Sequence, residues 1–203
     1  MPHLIKYGIT NLESVTMIDH FGILAPFYER FIPPPDPTQL QKLLNLPADG
    51  WLLDAGGGTG RVSLLMEPMV GKLVVSDESG KMLKQAQDKG MLWPMQSYVE
   101  RLPFPNESFD RALVVDALHH FYDQQYAIGE LVRILKPGGR LVIEEPDINR
   151  FAIKLVALAE KLALMGSHFH SPEEIQGMAM AYGVSAARVE RNGTIAAWVV
   201  IDK

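Results

Sequence analysis

The sequence predicts an α/β fold with a mostly parallel sheet that ends in an antiparallel hairpin. Apolar runs of strand length alternate with stretches whose apolar residues recur at helical spacing, which is typical of βαβ units. One such run, residues 51–54, leads into four glycines within residues 56–60. Near the end of the chain, Asn192 and Gly193 separate two apolar runs, as hairpin turn residues do.

Length and composition favour one soluble α/β domain. The 203 residues are 47% hydrophobic and 21% charged, so we expect a single domain over residues 1–203. The net charge is −5 and no dense run of Lys and Arg appears, which disfavours nucleic-acid binding. Cysteine is absent, so disulfides and thiolate metal sites are excluded. The chain shows neither a signal-peptide pattern nor an apolar run of spanning length, which predicts a cytoplasmic protein.

Residues 1–46 precede the first strand and carry a helical pattern. Apolar residues recur at helical spacing over 18–31, interrupted by Pro26, so we expect two short helices or one kinked helix. Prolines between residues 33 and 37 then predict a stiff link. Thr38 is the expected cap of a helix through residues 40–44.

The first predicted strand ends in an acidic residue, and a glycine-rich turn follows it. Glycine allows positive φ and lets the backbone approach a ligand closely, and strand carboxyl ends are where open α/β sheets bind ligands. A short helix is expected over residues 62–69. The spacing is D-x-G-x-G-x-G, carried by Asp54, Gly56, Gly58 and Gly60.

This spacing excludes two other glycine-rich sites. A phosphate loop requires Gly-Lys-Ser/Thr at its end, whereas Gly60 is followed by Arg61 and Val62. A dinucleotide fingerprint requires G-x-G-x-x-G, but the sixth place is Arg61 or Ser63, depending on the starting glycine. The second predicted strand, residues 72–77, ends in Asp77, and an acid about 20 residues past a glycine turn can accept hydrogen bonds from ribose hydroxyls.

Three motifs together resemble one enzyme family. The glycine turn, the block LPFPNESFD at residues 102–110 and the run LKPGGRLVIEEP at residues 135–146 are similar to class I S-adenosylmethionine (SAM)-dependent methyltransferases. The resemblance is to the ubiquinone/menaquinone-biosynthesis methyltransferase-like group (methyltransferase type 11), and it covers residues 20–203. It implies a Rossmann-like, seven-stranded, mostly parallel sheet with an antiparallel C-terminal hairpin over residues 47–203, and a helical N-terminal cap over residues 1–46.

The resemblance also implies SAM as the cofactor and a set of residues that bind it. Tyr28 would place a hydroxyl near the cofactor carboxylate or act as a packed aromatic. Tyr98 stands where the family has an acid that contacts adenine, so adenine is read here by backbone near Val99 or by Tyr98 stacking, with Glu100 as a displaced acid or an ion-pair partner of Arg101. The implied cofactor-binding residues are Tyr28, Asp54, Gly56, Gly58, Gly60, Asp77, Glu78, Met82, Tyr98, Val99, Asp116 and His119.

Histidines at the exit of the fourth predicted strand, residues 111–115, are the candidates for catalysis. Histidine titrates near neutrality and suits a general base for a phenol, amine or carbon acid. His119 and His120 are the predicted catalytic residues, while His168 and His170 are further candidates; each has hydrogen bonding to backbone as its structural alternative. No H-E-x-x-H or helical i, i+4 histidine pair is present, so no metal is expected.

The last third of the chain contains an apolar helix and the closing hairpin. Residues 151–165 are apolar almost all round, so they predict a lid over an apolar substrate, a dimer surface or a buried core helix. Ser171 begins a capped helix that ends near residue 183. Residues 186–190 and 194–201 form the expected hairpin strands.

These observations predict a SAM-dependent methyltransferase that acts on carbon or oxygen of a small, fairly apolar metabolite. Nitrogen is a less favoured acceptor. The alternatives are a SAM-binding module without turnover and a nicotinamide-dependent oxidoreductase. The expected partners are a small-molecule methyl acceptor and a second copy of the chain in a homodimer, with no nucleic acid and no membrane span.

Overall fold

A computed structural model describes residues 36–90, 93–150, 153–154, 167–193 and 195–203. Within these residues the chain forms one seven-stranded sheet. The strands are β1 (Ala48–Ala55), β2 (Val70–Asp77), β3 (Pro94–Gln96), β4 (Phe109–Val115), β5 (Leu135–Pro146), β6 (Ala186–Glu190) and β7 (Ala196–Asp202). Their spatial order is β3-β2-β1-β4-β5-β7-β6.

The first five strands are parallel and the last two are antiparallel. β1 pairs with β2 and β4, β2 pairs with β3, and β4 pairs with β5, all in parallel register. β7 pairs with β5 and β6 in antiparallel register. The predicted mostly parallel sheet with a C-terminal hairpin is therefore confirmed. The carboxyl ends of the five parallel strands share one edge, where the glycine turn and Asp77 also lie.

Helices cover both faces of the sheet. The described helices are α1 (Pro37–Leu44), α2 (Ser63–Met66), α3 (Gly80–Asp88), α4 (Gln124–Ile134) and α5 (Pro172–Met180), with 3₁₀ turns at Glu67–Met69, Val99–Arg101 and Leu118–His120. Neighbouring strand residues enter opposite cores: Leu53 joins the α4 side, whereas Leu52 joins the side of α1 and α3. Both leucines are fully buried, which is why this strand is continuously apolar rather than alternating.

Three local predictions differ from the structure. The cap of α1 is Asp36 rather than Thr38: the Asp36 Oδ1 accepts the Thr38 N–H at 2.9 Å, so the acid one residue before Pro37 satisfies the helix start. The helix expected over residues 62–69 is α2 followed by a 3₁₀ turn, because Pro68 cannot donate the next helical hydrogen bond. β5 begins at Leu135, before the turn at Gly138, whereas the sequence pattern predicts this strand over residues 140–145.

The predicted helical cap at residues 1–46 lies largely outside the described residues, as does Tyr28. The same holds for most of the apolar segment 151–165. Of that segment the structure describes residues 153 and 154, and Ile153 is buried.

Candidate active site

The glycine turn after β1 has the backbone that only glycine adopts easily. Gly56, Gly58 and Gly60 have φ of 72°, 55° and 74°, all in the left-handed region. The Gly56 N–H and Gly57 N–H donate to the Ser76 carbonyl at 2.8 and 3.1 Å, which fixes the turn to the end of β2. The turn predicted from the spacing is therefore present.

The turn runs between the ends of two strands. A Cβ on Gly56 would lie 2.7 Å from Ala117 Cβ, so the turn packs closely against the segment that follows β4. A Cβ on Gly58 would lie 3.5 Å from Met82 and 3.8 Å from Asp77 Oδ2. Bare backbone at Gly58 leaves a cradle bounded by Met82 and Asp77, which suits a ligand that lies against the main chain.

Asp77 connects this cradle to α3. Its Oδ2 accepts the Gly58 N–H at 2.9 Å, and its Oδ1 accepts the Ser79 N–H at 2.8 Å. The Ser79 hydroxyl in turn caps α3 by accepting the Met82 N–H. These contacts hold a half-buried carboxylate at the rim of the glycine turn. The geometry fits a group that presents paired hydroxyls to the acid and its bulk to the backbone.

Asp54 lies beneath the turn rather than at its rim. Its side chain is 1% exposed, and its Oδ2 accepts the Ser63 hydroxyl at 2.5 Å. Burial raises the pKa of Asp54 to about 6, against the lowering effects of the Ser63 hydrogen bond and of Arg61. Within the described contacts, this acid braces the turn against α2.

A second buried acid, Glu144 near the end of β5, was not identified from the sequence. It is 9% exposed, and its Oε2 accepts the Trp198 Nε1–H from β7 at 2.6 Å. Burial raises the pKa of Glu144 to about 7; Asp116 contributes to the rise and Arg61 opposes it. The one available signal was the position of Glu144 in a strand that ends at the ligand-binding edge of the sheet.

Arg61 connects the turn with the exit of β4. Its guanidinium lies 4.0 Å from the carboxylate of Asp116, and its side chain is 9% exposed. Asp116 adopts a positive φ of 53°, a conformation that Asp tolerates better than most residues. The three acids around Arg61 are therefore partly neutralised by one buried cation.

His119 is part of a buried hydrogen-bonded pair with Glu145. The side chain is 4% exposed, and its Nδ1 lies 2.6 Å from Glu145 Oε2. The other carboxylate oxygen of Glu145 accepts the Ala117 N–H at 3.0 Å and the Leu118 N–H at 2.8 Å. Because a carboxylate accepts, the proton is assigned to Nδ1, which leaves Nε2 as the basic nitrogen. Glu145 thus orients the imidazole and fastens the segment after β4.

Residues 167–170 lie over this histidine. The His168 N–H donates to the His119 carbonyl at 2.8 Å, and the Gln124 side-chain amide donates to the His168 carbonyl at 2.6 Å. The Phe169 ring stacks on the His119 imidazole, with centroids 4.4 Å apart and planes 14° apart. The structure therefore brings the two histidine segments together, although they are almost 50 residues apart in the chain.

The other candidate bases are less suitable. Burial, with a smaller contribution from His119, lowers the pKa of His120 to about 3, so this imidazole is neutral near pH 7 and a weak proton acceptor. Its Nδ1 lies 3.2 Å from the Ser167 hydroxyl. His170 lies 3.6 Å from Glu174 at the start of α5, away from the turn.

Four further predicted cofactor residues follow β2 or β3 in the chain. Met82 and Val99 are buried, whereas Glu78 and Tyr98 are exposed. The Glu78 carbonyl accepts the Gln96 side-chain amide at 2.8 Å.

Within the described ranges, no group of three or more His, Asp or Glu side chains could hold a metal ion. In the same residues, no helix has the length and apolar character needed to cross a membrane.

Comparison with known proteins finds similarity to the same family that the motifs resemble. Residues 53–143 match the model of a methyltransferase domain. The chain is 33% identical over 108 residues to the ubiquinone/menaquinone biosynthesis C-methyltransferase UbiE of Marinomonas, which covers 48% of this chain and 43% of that protein. It is 33% identical over 125 residues to the uncharacterized methyltransferase YcgJ of Bacillus subtilis, covering 56% and 49%. The chain thus spans about half the length of these relatives, or less.

Solved structures agree on the fold. The B. subtilis YcgJ crystal structure superposes with a TM-score of 0.67 at 27% identity, covering 76% of this chain and 70% of that one. A Thermotoga maritima SAM-dependent methyltransferase, described as a possible histamine N-methyltransferase, gives 0.75 at 22% identity, covering 90% and 98%. The Rossmann-like fold inferred from the resemblance is confirmed, and the family and structures imply SAM as the cofactor.

Proposed function

Because the chain carries a class I methyltransferase domain of the UbiE-like type, we propose that it transfers a methyl group from SAM to carbon or oxygen of a small, fairly apolar metabolite. The observation that carries this proposal is the glycine turn held against Asp77 by the Gly58 N–H. The turn and the acid come from neighbouring strands and form one cradle for a nucleoside.

Several residues around the cradle contribute to binding the cofactor, each through a different contact. Asp77 accepts hydrogen bonds from the ribose hydroxyls, and the bare backbone at Gly58 admits the ligand without a clash. Met82 and Val99 supply apolar surface for the adenine. Glu78, Tyr98, Asp116 and His119 complete the predicted binding set among the described residues, and Tyr28 belongs to it outside them.

For methyl transfer, the protein mainly has to align the methyl donor with the acceptor and exclude water. When bound, SAM supplies an activated methyl group that an electron-rich acceptor atom can take in line. Holding two reactants in the right geometry contributes roughly 7–11 kcal/mol of barrier reduction. The stacked Phe169 and buried His119 provide an apolar, water-poor wall at this edge of the sheet.

His119 is the proposed general base. Its Nε2 takes the proton that a hydroxyl or carbon-acid acceptor loses as it attacks, and Glu145 stabilises the resulting imidazolium through Nδ1–H. Base catalysis of this kind contributes about 10²–10⁴-fold. His120 is the weaker candidate because the low pKa of its buried imidazole makes it a poor proton acceptor.

The names of two similar proteins indicate which classes of acceptor to test first. UbiE is named as a C-methyltransferase of ubiquinone and menaquinone biosynthesis, which favours a carbon atom on a quinol-type ring. The T. maritima protein is described as a possible histamine N-methyltransferase, which makes amines the contrasting class. The Phe169 ring, which stacks on the candidate base, favours the aromatic class here.

A methyl-incorporation screen tests the proposal. Methyl-labelled SAM is incubated with naphthohydroquinones, catechols, simple phenols, aliphatic amines and sugars, and labelled products are counted. We expect transfer to aromatic hydroxyl compounds and a loss of about 100-fold or more in His119→Asn. Labelling of charged polar acceptors alone would overturn the acceptor class.

The burial of His119 under Phe169 favours one second candidate, a SAM-binding module without turnover. Formation of S-adenosylhomocysteine with any acceptor pool decides for the enzyme, and binding of SAM with no such product decides for the module. A single domain over residues 1–203, a cytoplasmic location and a homodimer stay predictions.

A further inference from the structure

Two loops are joined across the β3 side of the cradle. One follows β3 and carries Tyr98; the other follows β4 and carries Tyr122. The Glu100 Oε1 in the first loop accepts the Asp123 N–H of the second at 3.2 Å. Next to this hydrogen bond, the rings of Tyr98 and Tyr122 lie 5.9 Å apart with their planes tilted by 59°.

These tyrosines expose most of their surface in spite of this contact. Tyr98 is 55% exposed and Tyr122 is 66% exposed, so neither ring is a core residue. Two adjacent exposed aromatic rings beside the cradle present a π-surface that is not used in packing the core of the sheet. Asp123 caps α4 by accepting the Tyr126 N–H at 2.9 Å, so Tyr122 sits directly before a fixed helix start.

The pair lies beside the residues proposed to hold the nucleoside. The Ser97 N–H donates to the Asp77 carbonyl at 3.0 Å, so Tyr98 directly follows a residue that is bonded to the backbone of the acid proposed to bind the ribose. Partial burial and then the charge of Glu78 raise the pKa of Tyr122, so this tyrosine also lies close to the residue after Asp77. Both rings therefore lie on the β3 side of the cradle, near the acid proposed to bind the ribose.

We propose that Tyr98 and Tyr122 form an aromatic clamp that stacks on the adenine ring of the cofactor. This inference rests on the proposed function and names two residues that recognise its cofactor. An acid would read the adenine amino group at position 98, but tyrosine stands there, and the nearby Glu100 is bonded to the Asp123 backbone. Contact with the face of the ring then replaces a hydrogen bond to its edge.

Calorimetric titration of S-adenosylhomocysteine into point variants tests the clamp. Tyr122→Leu removes the π-face while keeping an apolar side chain, and Tyr122→Phe keeps the face while removing the hydroxyl. Tyr126→Leu is the matched control, because Tyr126 is 55% exposed and lies on α4 beyond the clamp. Since all these side chains are exposed, the variants should keep the unfolding temperature of the parent.

Stacking of a base on an aromatic side chain predicts a loss of about fivefold or more in affinity for Tyr122→Leu. Tyr122→Phe and Tyr126→Leu should stay within about twofold of the parent. The same loss is expected with 5′-methylthioadenosine, which keeps the adenosine and lacks the amino-acid end. Tyr98→Leu combined with Tyr122→Leu should deviate from additivity, since both rings contact one ligand.

Parental affinity in Tyr122→Leu overturns the clamp, and so does an equal loss in Tyr122→Phe, which would assign the effect to the hydroxyl. A loss confined to S-adenosylhomocysteine also overturns it, because the effect would then belong to the amino-acid end. If the parent protein itself binds neither compound, the proposed function fails as well, and this result is distinct from a clamp failure.

Discussion

At the scale of single residues, Glu144 is a buried acid whose ionised form is poorly solvated by its surroundings. The acid is 9% exposed, and within the described part of the chain its carboxylate accepts a hydrogen bond from Trp198 Nε1. One neutral donor and a nearby Arg61 do not replace water fully, so burial raises the pKa of Glu144 to about 7. A raised pKa in the folded protein means that folding is favoured by the protonated acid.

Glu144→Gln should therefore flatten the dependence of stability on pH. The folded parent binds the Glu144 proton more tightly than the unfolded chain does, so this contribution to the free energy of unfolding falls as pH rises from 4.5 to about 7. The amide keeps an acceptor for Trp198 and carries no charge. We measure the free energy of unfolding of both proteins in urea. Between pH 4.5 and pH 8, the value for the variant should rise relative to the value for the parent by on the order of 2 kcal/mol.

Comparing the parent with Glu144→Gln isolates the effect of Glu144, because the other groups with shifted pKa values are present in both proteins. His120 acts in the opposite direction: its pKa is lowered to about 3, so its contribution is lost as pH falls below 6.5. Asp88→Asn, at an exposed position, is the control for removing a negative charge. Parallel pH profiles for the parent and Glu144→Gln would show that the buried acid is not shifted.

The sequence predicted the residues whose neighbours are close in the chain. Asp77 could be identified because its position relative to the glycine turn is set by one strand-helix-strand unit. Glu144 could not be, because its partner Trp198 lies 54 residues away on an antiparallel strand. Contacts of this kind depend on how the hairpin docks, which the local pattern does not encode.

At the scale of elements, the segment that follows β4 is held by contacts from two other parts of the chain. Glu145 at the end of β5 accepts two of its backbone N–H groups and orients His119. Residues 167–170 cover it from the other side. The sequence placed His119 at this exit, but it did not predict Glu145 as the partner of the imidazole or Phe169 as its cover.

Glu145→Gln should separate positioning of the base from support of the segment. The two backbone donors keep the amide oxygen on their side, so the amide nitrogen faces His119 and donates to Nδ1. The imidazole must then carry its proton on Nε2, which removes the basic nitrogen. With an acceptor found by the screen, we expect methyl transfer to fall by about 10²-fold or more while S-adenosylhomocysteine affinity stays near that of the parent.

The matched control is Glu107→Gln, which makes the same change of side chain at an exposed position. A Glu145→Gln rate within about twofold of the parent would leave His119 a structural residue. A loss of cofactor affinity equal to the loss of rate would instead assign Glu145 to the cradle.

At the scale of the whole molecule, the sheet order brings distant acids and glycines to one edge. β1 lies between β2 and β4, so the turn after β1 contacts both the Asp77 end and the segment of His119. The order follows from the parallel βαβ pattern, which is why fold class and cradle were readable from the sequence. The cover at residues 167–170 was not, because it follows a segment whose apolar pattern suits a lid, a dimer surface or a core helix.

Ligand binding to this cradle should stabilise the entire domain. A ligand at 100 times its Kd adds about 2.7 kcal/mol to the free energy of unfolding, which corresponds to a rise of about 5–10 °C in Tm for a domain of this size. We expect this rise with S-adenosylhomocysteine in a thermal unfolding scan. NAD at the same concentration should give none, because the glycine spacing lacks the dinucleotide fingerprint.

The most direct measurement is a calorimetric titration of S-adenosylhomocysteine into the parent, Asp77→Ala and the exposed control Asp88→Ala. We predict one site of micromolar affinity in the parent and in Asp88→Ala, and an affinity at least about tenfold lower in Asp77→Ala, because two or more hydrogen bonds to a charged acceptor are lost. Folding of Asp77→Ala is checked by its unfolding curve. Equal affinity in Asp77→Ala, or no binding to the parent, would contradict the assignment of this cradle to the nucleoside.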